Sequence, residues 1–183
     1  MGGYGDSAAF MFPIWAWAAR TLLDTEPGTQ RQLSRLALGS GITQAVGGLL
    51  AACLMNACIA ALVLATPVVY GLSVGVDVRT VGLAIALNLL SACAATLVGA
   101  WTCRVIFASS AVSILALLGG CVGILLLSMG PLAWLSVPMI AWLRAGHDGP
   151  AAFDHAFPGL AAHLLGWIVA VTAAYLVVRR RRP

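Results

Sequence analysis

Four long apolar blocks limit what this chain can fold into. They cover about residues 42–70, 81–103, 105–129 and 158–178 of the 183-residue sequence. Each has about the 20 apolar residues that a helix needs to cross the hydrocarbon layer of a membrane, which is about 30 Å thick. Because only 9% of the residues are charged, the chain has too little polar surface to cover such blocks in water. We predict an all-α polytopic membrane protein, folded as a single transmembrane domain with four to five transmembrane helices and a helical bundle over 42–178.

Two further apolar segments are too short to be ordinary spans. The first, residues 8–23, is predicted to be a short N-terminal membrane helix or a helix at the membrane interface, where its two tryptophans favour the headgroup region. The second is 130–143, in which Gly130-Pro131 ends the preceding helix and a later proline interrupts the apolar stretch. We predict that 130–143 is a re-entrant or interfacial segment, followed by a loop that ends near residue 157.

The distribution of arginine predicts the orientation in the membrane. All ten basic residues are arginine, a composition that suggests a bacterial protein. If 130–143 does not cross, eight arginines fall on one side and only Arg79 and Arg144 on the other, whereas a crossing would give five and five. Cytoplasmic loops carry the excess of basic residues. We therefore predict a bacterial cytoplasmic membrane protein whose C-terminal tail, 179–183, is cytoplasmic. Because four of the ten arginines form this tail and most others flank apolar blocks, membrane topology explains the net charge of +4 better than a nucleic-acid partner does.

Polar side chains inside the predicted spans are few. No Asp or Glu lies in the middle of a span, which disfavours ion-coupled transport. The sequence has no GxSxG, HExxH or paired-carboxylate pattern, so we assign no catalytic residues. Asn56 and Asn88 have two interpretations. Each is either a polar point on a substrate path or a hydrogen-bonding residue between helices, and the second role is the commoner one in membrane bundles.

The three histidines and five cysteines lack the spacing of a metal site. His147 and His155 each stand near an aspartate, but no third ligand is fixed by spacing, so a solvated loop is the simpler interpretation. His163 is interpreted as an interfacial histidine rather than a titrating gate. The cysteines form no CxxC pair and are interpreted as helix-packing residues rather than disulfide partners or metal ligands. We expect neither a metal nor a cofactor.

Small residues recur at four-residue steps in two neighbouring spans. They are Ser91, Ala95 and Gly99 in one span and Gly119 and Gly123 in the next. Such spacing allows two helices to approach closely. Because a very short turn joins the two spans, we predict that they pack tightly against each other as an antiparallel pair.

A polar segment, 24–39, separates the first apolar segment from the long block that follows. Its sequence, DTEPGTQRQLSRLALG, must lie in water or against another protein. A proline turn followed by a capped helix gives it one leucine face and one arginine face. Six residues define these features: Pro27, Thr29, Arg31, Leu33, Arg35 and Leu36.

The order of these elements resembles the transmembrane subunit of an ABC exporter of the type 2 permease family. In that family a cytoplasmic coupling helix precedes a long span, followed by two joined spans, a re-entrant segment and a final span with a cytoplasmic tail. The stretch TEPGTQRQLSR is similar to the family's short Thr-Pro-small-Ser/Thr-Arg motif. The resemblance implies that the six residues named for the polar segment couple the chain to an ATPase.

The resemblance also implies the function and the partners. A permease subunit of this kind moves a hydrophobic or amphipathic substrate outward. The chain has no Walker A sequence, so we expect it not to be an enzyme by itself, with ATP bound by a separate cytosolic ABC ATPase subunit. A second membrane subunit, identical or different, would complete the complex. The alternative is a non-transporting membrane anchor or assembly subunit of another membrane complex.

Overall fold

The computed structural model describes residues 2–26, 33, 37 and 40–181. Within these residues the chain forms six α-helices and no β-strand, which confirms the all-α class. A 3₁₀ turn, Ala133–Leu135, precedes the fifth helix. In chain order the helices are α1 (Gly2–Asp24), α2 (Gly41–Ser73), α3 (Val78–Trp101), α4 (Ser110–Met129), α5 (Met139–His147) and α6 (Pro150–Arg181).

Helices α2, α3, α4 and α6 are long and apolar enough to cross a membrane. They coincide with the four apolar blocks of the sequence and confirm a multi-pass membrane protein. Helix α2 has 33 residues and continues through Pro67, and α6 has 32 residues. At about 1.5 Å per residue each measures about 50 Å, so both must tilt or extend beyond a hydrocarbon layer of about 30 Å.

The loop predicted to end near residue 157 is wrong, because its second half forms the first turns of α6. Gly149 has a φ of 107° and reverses the chain after α5 in a conformation that favours glycine. Pro150 then takes the first helical position, where its fixed φ suits the helix and its missing N–H costs no hydrogen bond. The rings of Phe153 and Phe157 pack against each other at a centroid distance of 5.9 Å.

Helix α1 lies inside the bundle. Its side chains Phe12, Trp15 and Ala16 are almost completely buried, while Phe10 and Trp17 remain exposed. Its 23 residues give a length of about 34 Å, close to the thickness of the hydrocarbon layer. Of the two alternatives for the N-terminal segment, the structure supports a helix that inserts among the spans over one that lies on the membrane surface.

Helices α1 and α3 approach closely where they cross at Gly99. A Cβ atom on Gly99 would lie 2.9 Å from the main-chain nitrogen of Arg20 and closer still to the carbonyl oxygen of Ala16. Ser91 and Ala95, on the same stripe of α3, are fully buried. The predicted role of this stripe in close helix packing is confirmed, and α1 is the helix that occupies it.

The predicted tight pairing of α3 with α4 is wrong. Helix α3 packs mainly on α1, α2 and α6, and its contact with α4 is slight. The small residues of α3 are already covered by α1, so α4 diverges after the connecting turn. Gly119 and Gly123 of α4 accordingly have nothing within 4 Å of where a side chain would begin, and the close helix contact expected of them is absent.

The helix termini meet in two groups, one at each end of the bundle. At the end that we call the arginine-rich end, the last residues of α1, α3 and α6 meet the first residues of α2 and α4. Arg20 and Arg104 lie there, together with Arg179. The rings of Trp101 and Tyr175 join α3 to α6 at a centroid distance of 6.0 Å.

The opposite end, which we call the acidic end, carries most of the aspartates. Asp6 of α1, Asp77 before α3 and Asp154 of α6 all lie there. Nε of Arg79 is 3.7 Å from Asp154, and Nε2 of His147 is 3.9 Å from Asp6. The start of α1, the α2–α3 turn, the end of α5 and the start of α6 are therefore neighbours.

The segment between α4 and α6 reaches the acidic end at the last residue of α5, where His147 lies beside Asp6. Before α5 the chain dips into the bundle, where the carbonyl oxygen of Leu135 accepts a 3.0 Å hydrogen bond from the indole of Trp167. Trp167 lies halfway along α6, about 25 Å from its start. Met139 is buried in the apolar core, and α5 then rises to His147. Residues 130–143 form a turn and the first half of α5 rather than a full span, and their interpretation as a re-entrant segment stays a prediction.

Gly99→Ala is expected to lower the free energy of unfolding by about 1–3 kcal/mol, because the new methyl group overpacks the backbone contact with α1. Gly119→Ala is the matched control, since its methyl group meets open space and alanine favours a helix over glycine. Thermal unfolding in detergent measures both variants. Equal effects of the two substitutions would contradict the close packing of α1 on α3.

Labelling of introduced cysteines tests the orientation of the re-entrant segment. In a variant without the five native cysteines, His147→Cys is expected to react with an impermeant maleimide from the outside. Arg180→Cys is expected to react from the cytoplasmic side only, because the arginine excess places that end inside. Labelling of position 147 from the cytoplasm alone would refute this topology.

Candidate functional site

A polar network at the arginine-rich end attaches the last turn of α1 to the turn between α3 and α4. Nε of Arg20 donates to Oγ of Ser113 at 2.6 Å, and Ser113 in turn donates to the carbonyl oxygen of Thr102. Oδ1 of Asp24 accepts the main-chain N–H of Arg104 at 2.7 Å. The Arg20 and Asp24 side chains, 3.7 Å apart, are both largely buried. This shielding makes the attachment stronger than an exposed ion pair.

The predicted ATPase-coupling segment, 24–39, begins and ends beside this network. Leu33 is helical and 66% exposed. On one flank Glu26 accepts a 3.1 Å hydrogen bond from the amide of Gln44, and on the other Ser40 caps α2 by accepting a main-chain N–H at 3.0 Å. The other predicted coupling residues lie outside the described part of the chain: Pro27, Thr29, Arg31, Arg35 and Leu36.

Asn56, a candidate for a substrate path, is fully buried where α1, α2 and α3 meet. Its amide nitrogen donates to the carbonyl oxygen of Trp15 at 3.0 Å and to the hydroxyl of Thr96 at 2.9 Å. The Thr96 hydroxyl donates to the carbonyl oxygen of Ala92 at 2.7 Å. These contacts join three helices and support the helix-packing interpretation.

Asn88, the second candidate, joins α3 to the first turns of α1. Its amide nitrogen donates to the carbonyl oxygens of Ala84 at 3.0 Å and Tyr4 at 3.3 Å. Its Oδ1 atom accepts from the Ser7 hydroxyl at 3.5 Å. The structure therefore brings both asparagines against α1, where each satisfies main-chain or side-chain partners of a neighbouring helix.

Two apolar grooves open on the sides of the bundle. One, of about 420 Å³, lies between α1 and α2 and includes Trp17 and Met55 in its lining. The other, of about 480 Å³, lies between α3, α4 and α6, with Trp101, Gly120 and Trp167 in its lining. Volumes of this size and apolar character suit a segment of acyl chain or another apolar ligand.

His147 and His155 lie near the acidic end, whereas His163 lies about 20 Å along α6 from its start. Nδ1 of His147 lies 2.8 Å from the carbonyl oxygen of Leu143, while His155 is exposed and His163 is half-buried. In the part of the chain that the structure describes, no group of three or more His, Cys, Asp or Glu side chains is placed to hold a metal ion.

Two of the contacts that organise the bundle were not evident from the sequence. For the bond of Arg20 to Ser113 the sequence contained only an indirect signal. Arg20 lies four residues before Asp24, and this spacing lets those two side chains meet on one helix face, but it does not identify Ser113. The bond from Trp167 to the main chain of Leu135 had no signal, since any residue supplies a carbonyl acceptor.

Comparisons with protein-family models, with curated proteins and with solved structures found no match. The class of the protein therefore follows from its own residues: it is an α-helical multi-pass membrane protein. The likeness to type 2 permeases remains an expectation from the layout of the chain.

One pair of cysteines lies closer together than the sequence spacing indicated. All five cysteines are free, but the thiols of Cys53 in α2 and Cys93 in α3 lie within hydrogen-bonding distance of each other. Cys58 of the same α2 helix is exposed. The proximity of the two thiols therefore depends on how α2 packs against α3.

Oxidation with copper phenanthroline is expected to join Cys53 to Cys93, because the two thiols are already in contact. The expected result is a loss of two reactive thiols when the denatured protein is titrated with maleimide. Cys53→Ser should abolish this loss, whereas Cys58→Ser should leave it unchanged. An unchanged thiol count in the oxidised wild type would contradict the packing of α2 on α3.

Proposed function

We propose that this chain is the membrane-spanning permease subunit of an ABC-type exporter in the bacterial cytoplasmic membrane. A separate cytosolic ATPase would supply the energy, and the substrate moved outward would be hydrophobic or amphipathic. The observation that leads to the proposal is that the described flanks of the polar segment, residues 24–26 and 40–44, lie at one end of the bundle, while α5, which continues the predicted re-entrant segment, ends at the other. This is the arrangement that the resemblance to type 2 permeases leads us to expect.

The charge distribution supports contact with a cytosolic partner at the arginine-rich end. Arg20, Arg104 and Arg179 lie at this end, and the flanks of the segment that contains Arg31 and Arg35 lie there too. The excess of basic residues favours the cytoplasmic side for it. Leu33, 66% exposed within a charged segment, offers an apolar contact to a partner groove.

The groove between α3, α4 and α6 supports an apolar substrate class. Its volume of about 480 Å³ and its lining by Trp101, Gly120 and Trp167 suit a hydrocarbon chain. The divergence of α4 from α3 creates this groove. A substrate that enters sideways from the lipid would reach it without passing through the tightly packed contact of α1 with α3.

A second membrane subunit would complete the transport path. Helix α4 contributes few buried residues and leaves Gly119 and Gly123 uncovered. Small residues of this spacing let a helix of another subunit approach closely. We therefore place the subunit interface at α4, with a partner that is either identical or different.

One observation favours the alternative of a non-transporting anchor or assembly subunit. Asn56 and Asn88, the two candidates for a substrate path, are occupied by contacts that hold α1 in place. Copurification separates the two functions. An exporter subunit brings down an ATP-binding protein from its native membrane, whereas an anchor brings down a complex without one.

The double substitution Leu33→Asp and Leu36→Asp is expected to release the ATPase from the purified complex while membrane insertion persists. Burial of a leucine side chain contributes about 1.5–3 kcal/mol, so losing two should weaken the association at least about tenfold. Val74→Asp with Val78→Asp is the control, because these exposed valines receive the same charges at the acidic end. Retention of the ATPase by the Leu33/Leu36 variant would exclude this segment as the coupling element.

A further inference from the structure

Arg179, near the end of α6, is buried but incompletely paired. Only 6% of its surface is exposed, and among the described residues its Nε and Nη1 atoms have no hydrogen-bond partner. The guanidinium group keeps its charge and its five N–H donors at all physiological pH values. Burying such donors without acceptors is unfavourable. Arg180, the next residue, is exposed to solvent, so burial is specific to Arg179.

Arg179 lines a cavity of about 40 Å³ at the arginine-rich end. Glu26, Gln44, Cys103 and Tyr175 contribute to its wall, so that the chain after α1, helices α2 and α6 and the turn after α3 all take part. One water-sized group needs about 10–15 Å³ of such space, which leaves room for about three. That is room for about three of the four oxygen atoms of one phosphate group.

The carboxylates near the cavity restrict the charge of a ligand. Asp24 already binds Arg20 and the main chain of Arg104. Glu26 is hydrogen-bonded to Gln44 and contributes a carboxylate to the cavity wall. Because Glu26 repels anions, a ligand with a single negative charge is favoured over one with two.

From the buried donors and the cavity that they face, we infer that Arg179 binds the phosphate of an anionic ligand through its Nε and Nη1 N–H groups. Hydrogen bonds between a guanidinium and phosphate oxygens are among the stronger ones in proteins. Two sources supply this chemistry: the headgroup of an anionic phospholipid and free inorganic phosphate. The site lies near Trp101 and Tyr175, at the depth where aromatic residues meet lipid headgroups, and the single charge of a phosphodiester suits its wall.

Native mass spectrometry of the full chain in detergent tests the lipid source. Phosphatidylglycerol is compared with a diacylglycerol that has the same acyl chains and lacks the phosphate. The wild type is expected to retain phosphatidylglycerol selectively, and Arg179→Gln to bind it about tenfold more weakly, since a charge-assisted hydrogen bond is lost. Arg180→Gln is the matched control and should bind like the wild type.

Inorganic phosphate tests the second source, by its effect on thermal unfolding of delipidated protein. A rise in the unfolding temperature of the wild type and of Arg180→Gln, absent in Arg179→Gln, would support free phosphate as the ligand. If Arg179→Gln does not fold, Arg179→Lys replaces it, and weaker binding is still expected because lysine lacks the guanidinium geometry. Equal binding by the wild type and the Arg179 variants, or no response of the wild type to either ligand, overturns the inference. The test is independent of the ATPase and leaves the proposed transport role unaffected.

Discussion

The contact between α1 and α3 at Gly99 determines how the other helices are arranged. With no side chain at Gly99, the backbone of α1 comes within van der Waals distance of α3. Asn56 then reaches both helices from α2, and Asn88 reaches the first turns of α1. Because α1 occupies the small-residue stripe of α3, α4 has no close partner there and diverges. The groove between α3, α4 and α6 is a consequence of that contact.

The sequence predicted the elements that depend on local composition. The four spans follow from the length of the apolar blocks, whereas the re-entrant segment, inferred from its prolines and from the arginine count, stays a prediction. The partner of the small-residue stripe was predicted wrongly. Ser91, Ala95 and Gly99 allow any helix to approach closely, and the short turn between α3 and α4 made α4 the expected partner. The start of α6 was missed because Pro150 and Pro158 resemble loop residues, although proline is favourable at the first helical position.

Among the candidate site residues, too, some could be identified from the sequence and others could not. Asn56 and Asn88 stood out in the sequence because amides are rare in apolar spans, and their role between helices was the expected one. The importance of Arg179 was hidden within a run of four arginines, since the sequence cannot tell which of them faces inward. Its burial depends on residues from α1, α2 and the turn after α3, which are distant in the chain. Contacts of this kind appear only when the helices are placed together.

The position of α1 also has a consequence for how the chain is made. Asp24 and Arg104, which bond at the end of this packed pair, are 80 residues apart in the sequence. Helix α1 lacks the long uninterrupted apolar stretch of the four candidate spans, and its buried face is covered mainly by α3. During synthesis α1 and α2 leave the ribosome before that face has its partner. Helix α1 therefore cannot bury this face against α3 until translation has passed Gly99.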